Sequence, residues 1–375
     1  MPDPISVMVV DDSALMRNLI SKIVDSTPGL KTVDKAMNGL FALQKIPRSN
    51  PDIIVLDIEM PEMNGIEFLK ERKRLGIDIP VVVLSSVAKS GAQITMEALA
   101  LGASDFITKP SGSVSSDIHT VAAELARMLV AYGSKYLKEK GKEAPKYSFE
   151  LPERMFDAPV QERKVFKPEI APKAALRPRR SPAATEIVAI GISTGGPNAL
   201  REVFAKIDPK LACPVVVVQH MPAGFTEEFA ASLNRICPLE VKEAANGDLL
   251  KPGRVLIAPG DWHMEVEKRS LAGMVRLHQE ASENGHRPSV DVLFRSVARE
   301  YGNRALAVIM TGMGKDGARE LGNIYLEGGL TLGQDESSSV VYGMPKVAYE
   351  MGNVEEQVSL SRMADRISEL VRTSR

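Results

Sequence analysis

Short, almost wholly apolar segments alternate along this chain with segments of helical periodicity, and that alternation limits the possible fold most strongly. In the first third of the chain the apolar segments are rich in β-branched residues, which favour strands. The predicted strands are Ile5–Val10, Ile53–Leu56, Ile79–Leu84 and, more weakly, Asp105–Thr108. Strands that are apolar along their length are buried on both faces, as in a parallel sheet covered by helices. We therefore expect a doubly wound, flavodoxin-like α/β domain.

The same alternation returns in the second half of the chain. Strands are predicted at Ile187–Ile190, Pro214–Val218, Arg254–Ala258, Ala305–Met310 and Gly329–Leu332. Helical periodicity lies between several of them, and the segment from Trp262 to His278 alternates as a β-hairpin does. A second, mostly parallel α/β domain is expected.

A proline-rich segment separates the two halves. Seven of the chain's 24 prolines lie between Gly141 and Pro182, a density that no helix or central strand can sustain. We predict a first domain over residues 1–132, a semi-extended linker over 133–183 and a second domain over 184–375. The basic run Arg177–Arg180 is interpreted as a solvated part of that linker.

Charge and composition exclude several classes of protein. The 375 residues carry 47 Lys+Arg against 48 Asp+Glu, so the basic excess typical of nucleic-acid binders is absent. Cys213 and Cys237 form no metal-binding or CxxC pattern and are expected to be reduced thiols. No signal peptide or membrane-length apolar run is visible. We expect a cytoplasmic monomer with no membrane insertion.

Polar side chains follow the strands of the first domain where each strand ends. Asp11 and Asp12 follow the first strand, Asp57 follows the second, Ser85 follows the third and Lys109 follows the fourth. The carboxyl ends of parallel strands meet at one sheet edge, so these groups should lie together. Carboxylates there suit Mg²⁺, and one of them could accept a phosphoryl group. The simpler alternatives are that Asp12 caps a helix and that Lys109 is a surface lysine.

Over roughly residues 4–130 this domain resembles the receiver domain of two-component response regulators. The likeness rests on Asp11-Asp12, Leu56–Pro61, Gly65, Ser85, Phe106 and Lys109-Pro110. The resemblance implies that a histidine kinase phosphorylates Asp57 and that Mg²⁺ is held by Asp11, Asp12 and Asp57. It also implies that Ser85 and Lys109 sense the phosphoryl group.

The second domain begins with a candidate nucleophile. Its first strand leads into Gly191–Pro197, which contains G-x-S-x-G around Ser193 at a strand-to-helix turn. Such a turn exposes the serine hydroxyl beside free backbone N–H groups. The alternative is a glycine-rich phosphate-binding turn, although neither G-x-G-x-x-G nor Gly-Lys-Ser/Thr is present.

A base and an orienting carboxylate are available on the same predicted sheet edge. His220 follows a strand directly and is the favoured base, with His263 second and His278 and His286 more weakly placed. Asp316 follows the strand Ala305–Met310 and would orient the imidazole, or else cap the next helix. The order Ser…His…Asp disfavours an ordinary α/β-hydrolase.

Apart from the linker, the whole chain resembles the chemotaxis protein-glutamate methylesterase family, in which a receiver precedes an esterase. The motifs are Ala189–Pro197, Gln219–Pro222, Ile257–Gly260, Arg287–Asp291 and Thr311–Gly317. The resemblance implies Ser193 as nucleophile, His220 as base and Asp316 as orienting acid, with no metal in the esterase. We expect the backbone N–H groups of Thr194 and Met313 to form the oxyanion hole.

The family likeness also implies substrate and regulation. The substrates would be γ-glutamyl methyl esters on chemoreceptors, with deamidation of receptor glutamines as a second activity. The receiver would block the esterase until Asp57 is phosphorylated. A DNA-binding regulator is disfavoured because the second half has strands and glycine-rich loops instead of a basic recognition helix. A non-catalytic anion-binding module at Gly191–Pro197 is the other alternative.

Overall fold

A computed structural model describes residues 3–86, 89–109, 118–145, 178, 180–270 and 272–373. The chain divides into two compact units, Met1–Glu169 and Ile170–Arg375. Most of the predicted linker, including Arg177 and Arg179, lies outside the described residues. Among the described helices, none combines the length and apolar character needed to cross a bilayer.

The first unit is a doubly wound α/β fold. Its elements are β1 (Ile5–Val10), α1 (Ala14–Ser26), β2 (Leu30–Ala36), α2 (Gly39–Ser49), β3 (Ile53–Asp57), α3 (Gly65–Arg74), β4 (Val81–Ser85), α4 (Lys89–Ala100), β5 (Asp105–Thr108) and α5 (Ile118–Glu139). The strands form one sheet in the order β2-β1-β3-β4-β5, and every pairing is parallel. The central strands β3 and β4 are buried along their whole length, as their apolar sequences predict.

The second unit is built around a larger parallel sheet. Its strands and α-helices are β6 (Ile187–Ile192), α6 (Gly196–Lys206), β7 (Val215–Gln219), α7 (Phe225–Asn234), β8 (Glu240–Glu243), β9 (Arg254–Ile257), β10 (His263–Lys268), β11 (Gly273–His278), α8 (Val290–Tyr301), β12 (Ala305–Ile309), α9 (Ala318–Leu326), β13 (Leu330–Gln334), α10 (Met344–Glu350), β14 (Glu356–Val358) and α11 (Leu360–Thr373). The sheet order is β14-β13-β12-β6-β7-β9-β8, all parallel. The predicted hairpin is the antiparallel pair β10–β11.

The mostly parallel architecture of both units confirms the predicted fold class. Helix α5 continues to Glu139, beyond the predicted domain end at residue 132. Leu137 is buried, and a Cβ at Gly133 would contact Ile5, so this last part of the helix packs on the first unit. The first turns of the predicted linker therefore belong to α5.

Candidate active site and phosphoryl-acceptor site

Ser193 lies in the turn between β6 and α6. Its N–H donates to the carbonyl of Thr311 (3.0 Å), and the N–H of Gly196 donates to the carbonyl of Ser193 (2.8 Å). Gly195 has φ = 79°, a left-handed conformation in which a side chain would be strained. A Cβ on Gly196 would collide with Oε1 of Gln219. The turn therefore needs its glycines, and it has the strand-to-helix setting that the sequence predicts.

His220 bridges the serine and a carboxylate. It follows β7, and its Nδ1 lies 3.1 Å from Oγ of Ser193, while its Nε2 lies 2.8 Å from Oδ2 of Asp316. The carboxylate comes from the loop between β12 and α9. A neutral imidazole has one donor and one acceptor nitrogen, so a ring that donates to Asp316 can accept the Ser193 proton. The structure thus brings together the three residues predicted from separate strand ends.

Asp316 is buried at the N-terminus of α8. Besides His220, four groups donate to its carboxylate: Nδ2 of Asn284, Oγ of Ser289, and the N–H groups of Val290 and Asp291. Burial alone would raise the pKa of Asp316, but the interaction with His220 and these hydrogen bonds hold that pKa well below its ordinary value. The alternative that Asp316 caps α9 is wrong, since the N-cap there is Gly317 and no side chain caps it.

The runner-up base, His263, is tied into the interior. It is 1% exposed, its Nδ1 accepts from the N–H of Ser289 (3.2 Å), and its Nε2 lies 3.2 Å from the carbonyl of Ala281. Burial lowers the pKa of His263, which favours the neutral ring that these contacts require. Its two nitrogens are occupied, and within the described residues neither of them is hydrogen-bonded to Ser193. His278, on β11, lies near two glutamates, and the ring of His286 stacks on His220.

The predicted oxyanion donors have free backbone groups. Within the described residues, the N–H groups of Thr194 and Met313 have no hydrogen-bond acceptor. Thr194 adjoins Ser193, and the N-terminus of α6 begins two residues later with no side chain capping it. Both features favour negative charge beside the serine.

Gln219 is a site residue that sequence reasoning did not single out. It is 2% exposed, and its Nε2 donates to the carbonyls of both Ser193 and His220, each at 3.0 Å. One side chain therefore joins the backbone of the serine turn to that of the histidine. Gln219 was visible only as the neighbour of His220, because sequence does not reveal which carbonyls a buried amide reaches.

Three acidic residues of the first unit lie close together at the predicted edge of the sheet. Carboxylate oxygens of Asp11, Asp12 and Asp57 lie within 4.8 Å of one another. The ammonium of Lys109 lies 2.7 Å from Oδ2 of Asp57 and 3.7 Å from Oδ2 of Asp11, so it is not an ordinary surface lysine. Ser13 caps α1, which makes the capping alternative for Asp12 wrong.

These carboxylates are poised for a cation. Asp11 is fully buried, and its Oδ2 accepts no hydrogen bond within the described residues. Burial, reinforced by the charge of Asp57, raises the pKa of Asp11 to about 6. Burial also raises the pKa of Asp57, against the opposing effect of Lys109. A hard divalent cation would supply the missing partner, so the donor set fits Mg²⁺.

Ser85 faces a neighbouring helix. It is fully buried at the end of β4, and its Oγ lies 2.6 Å from Oγ1 of Thr95 on α4. The Thr95 hydroxyl donates to the carbonyl of Gly91 (2.6 Å), so a hydrogen bond between the two hydroxyls requires Ser85 to be its donor, in competition with the carbonyl of Ser86 (3.1 Å). Within the described residues, the hydrogen bonds of Ser85 thus run to Thr95 and Gly91, both on α4, and to Ser86, and none runs to Asp57.

A receiver fold with a buried acidic cluster, followed by an α/β unit with a Ser–His–Asp row, defines a response-regulator hydrolase. Comparison with known families agrees: the response regulator receiver domain model matches residues 7–119, and the CheB methylesterase model matches residues 188–367. The chain belongs to the CheB methylesterase family.

Similar proteins extend over nearly the full chain. A protein-glutamate methylesterase/protein-glutamine glutaminase of Treponema denticola is 60% identical, with 98% of each chain covered. That of Treponema pallidum is 52% identical, covering 97% of this chain and 96% of its own. The CheB methylesterase catalytic domain of Thermotoga maritima, a solved structure, is 38% identical, covers 50% of this chain and 100% of its own, and has a TM-score of 0.49.

Proposed function

We propose that this chain hydrolyses methyl esters of glutamate side chains on chemoreceptors and deamidates receptor glutamines. The observation that carries the proposal is the hydrogen-bonded row from Ser193 through His220 to Asp316. The names of the two Treponema relatives, protein-glutamate methylesterase/protein-glutamine glutaminase, support the two activities. The serine turn lacks the Gly-Lys-Ser/Thr of a phosphate loop, which disfavours the anion-binding alternative.

The reaction follows from the atoms in that row. Oγ of Ser193 attacks the ester carbonyl carbon while its proton passes to Nδ1 of His220. The N–H groups of Thr194 and Met313 hold the negative oxygen. As the C–O bond to the methoxy group breaks, the proton on His220 passes to the leaving oxygen, releasing methanol. Asp316 keeps the ring oriented and stabilises its transient positive charge.

Water completes the cycle. His220 accepts a proton from water as the water oxygen attacks the acyl-serine, and it returns that proton to Oγ of Ser193. The products are glutamate and free enzyme. With a glutamine side chain, ammonia leaves in place of methanol and the remaining steps are the same.

The receiver unit would control this chemistry. Asp57 would accept a phosphoryl group from a histidine kinase, and Asp11, Asp12 and Asp57 would hold Mg²⁺, which would supply positive charge for the phosphoryl oxygens. Lys109 is already paired with Asp57 and would contact the phosphoryl oxygens. The added charge of about −1.5 to −2 reorganises the edge around Ser85 and relieves inhibition of the esterase by the receiver. We place this monomeric chain in the cytoplasm, where receptor helices and kinase meet it.

Methanol release from methylated receptor-bearing membranes tests the proposal. The full chain, Ser193→Ala and Asp57→Asn would be compared with and without a small phosphodonor. We expect release that requires Ser193 and rises with phosphodonor only when Asp57 is present. Release that persists in Ser193→Ala would refute the nucleophile, and release from wild type that ignores phosphodonor would refute the regulation.

A further inference from the structure

The face of the His220 ring is covered by a second histidine. The ring of His286 lies parallel to it, with centroids 3.8 Å apart and an interplanar angle of 10°. The edges of His220 are already engaged by Ser193 and Asp316. The contact with His286 adds a restraint perpendicular to both hydrogen bonds.

The turn that carries His286 reaches the orienting carboxylate as well. Glu283 and His286 exchange backbone hydrogen bonds of 3.1 and 2.9 Å, and Asn284 within the turn has φ = 54°. Nδ2 of Asn284 donates to Oδ1 of Asp316 (2.8 Å) and to Oδ2 of Asp291 (2.7 Å). One tight turn thus contacts His220 through a ring and Asp316 through an amide.

The turn is itself held in place. The carboxylate of Glu283 is paired with the guanidinium of Arg295, on α8, and with that of Arg319, on α9, at 3.0 Å. Both helices pack against the central sheet. The position of the His286 ring is therefore fixed from outside the catalytic row.

We propose that His286 is a positioning residue of the hydrolase, which holds the imidazole of His220 in the plane that aligns Nδ1 with Ser193. This inference rests on the proposed function. Rotation of the His220 ring out of this plane would lengthen both of its hydrogen bonds, and the stacked ring opposes that rotation by direct contact. The role needs only an aromatic surface, since within the described residues no hydrogen bond involves a ring nitrogen of His286.

The stacked ring also suits the charge that forms during the reaction. Burial, followed by the neighbouring His220, lowers the pKa of His286 to about 4, so the ring is neutral near pH 7. A neutral aromatic face tolerates the imidazolium that His220 becomes, whereas a second cation would repel it.

The test compares His286→Ala with His286→Phe in the full chain with phosphodonor. His286→Ala should lower kcat about 10–100-fold with KM nearly unchanged, because misalignment affects the reacting atoms and not receptor binding. Labelling of Ser193 by a fluorophosphonate should slow by a similar factor. His286→Phe, which keeps the stack, should restore both rates to within about threefold. His278→Ala, a histidine outside the row, is the matched control and should leave both unchanged.

Several outcomes would overturn the assignment. Wild-type kcat and labelling in a folded His286→Ala variant would show that the stack is dispensable. If His286→Ala raised KM alone, His286 would be a substrate contact. If a folded His286→Phe variant were as slow as His286→Ala, the ring nitrogens of His286, and not its aromatic surface, would be needed. If wild type releases no methanol yet Ser193 is labelled, the proposed substrate is wrong, while the labelling rates still decide the role of His286.

Discussion

Nε2 of His220 faces Oδ2 of Asp316 at 2.8 Å, which leaves Nδ1 to face the nucleophile. In the serine-protease arrangement the two ring nitrogens are used the other way round. The neutral ring must here carry its proton on Nε2, because only that nitrogen meets the carboxylate. The imidazole can therefore perform the same acid–base steps with the roles of Nδ1 and Nε2 exchanged.

Asp316→Asn tests the importance of that orientation. An amide at this position can present a donor to Nε2 and favour the wrong tautomer, which places a proton on Nδ1 where Ser193 needs an acceptor. We expect kcat for methanol release to fall about 10³–10⁴-fold, with KM little changed. Asp365→Asn, an exposed aspartate on α11, is the control and should behave as wild type. A fall of less than tenfold in a folded Asp316→Asn would argue against the orienting role.

Gln219→Met tests the amide that joins the two backbone segments. The substitution keeps volume but leaves the carbonyls of Ser193 and His220 without their shared donor, which costs about 1–3 kcal/mol of unfolding free energy. We expect calorimetry to show a lower thermal midpoint for the second unit. We expect methanol release to show a reduced kcat. Gln279→Met, at an exposed glutamine, should change neither. An unchanged midpoint in Gln219→Met would show that these carbonyls find other partners.

Mg²⁺ binding should depend on pH near neutrality. A carboxyl whose pKa is raised to about 6 is ionised at pH 7 and mostly protonated at pH 5, so cation affinity should fall as pH drops through this range. We expect the dissociation constant for Mg²⁺ to rise roughly tenfold between pH 7 and pH 5 in titration calorimetry of the full chain. Asp11→Asn should bind weakly at both values, and Asp365→Asn should match wild type. If the affinity for Mg²⁺ were the same at pH 7 and pH 5, Asp11 would not be the group that takes up a proton in this range.

The strands that sequence analysis missed share one property. β2, β8 and β14 lie at the edges of their sheets, where part of each strand meets solvent, and β2 accordingly carries Lys31 and Lys35. Their polar residues remove the continuous apolar pattern by which buried strands such as β3 are recognised. Interior strands were predictable because both faces are buried, whereas these three edge strands depend on neighbours that sequence does not reveal; β5, an edge strand that is mostly buried, was predicted more weakly.

The same distinction applies to the site. Ser193, His220 and Asp316 follow buried interior strands, so the rule that strand ends meet at one edge located all three. Asn284 and His286 come from the connection between the hairpin and α8, and their approach to the row depends on how that connection folds back. The motif Arg287–Asp291 supported the family likeness without suggesting that Ser289 and its neighbours hold Asp316.

The substitution Thr95→Val tests whether Thr95 competes with a phosphoryl oxygen on Asp57 for the hydroxyl of Ser85. The nearest acceptor for the Ser85 proton is Oγ1 of Thr95, at 2.6 Å, so binding a phosphoryl oxygen at Asp57 would require that hydrogen bond to break. Valine has nearly the shape of threonine but cannot accept the proton. Phosphoryl binding should then gain up to the net value of one hydrogen bond, about 0.5–1.5 kcal/mol, or roughly 2–10-fold in the phosphorylated fraction at limiting phosphodonor.

Separation of the phosphorylated chain from the free chain, followed over time, would measure that fraction. Thr32→Val is the matched control, since it removes another hydroxyl of the first unit that makes no hydrogen bond within the described residues. Methanol release should rise with the phosphorylated fraction in Thr95→Val and stay at the wild-type level in Thr32→Val. A lower phosphorylated fraction in Thr95→Val would mean that Thr95 holds Ser85 ready for the phosphoryl group, the reverse of the competition argued from the hydrogen bonds.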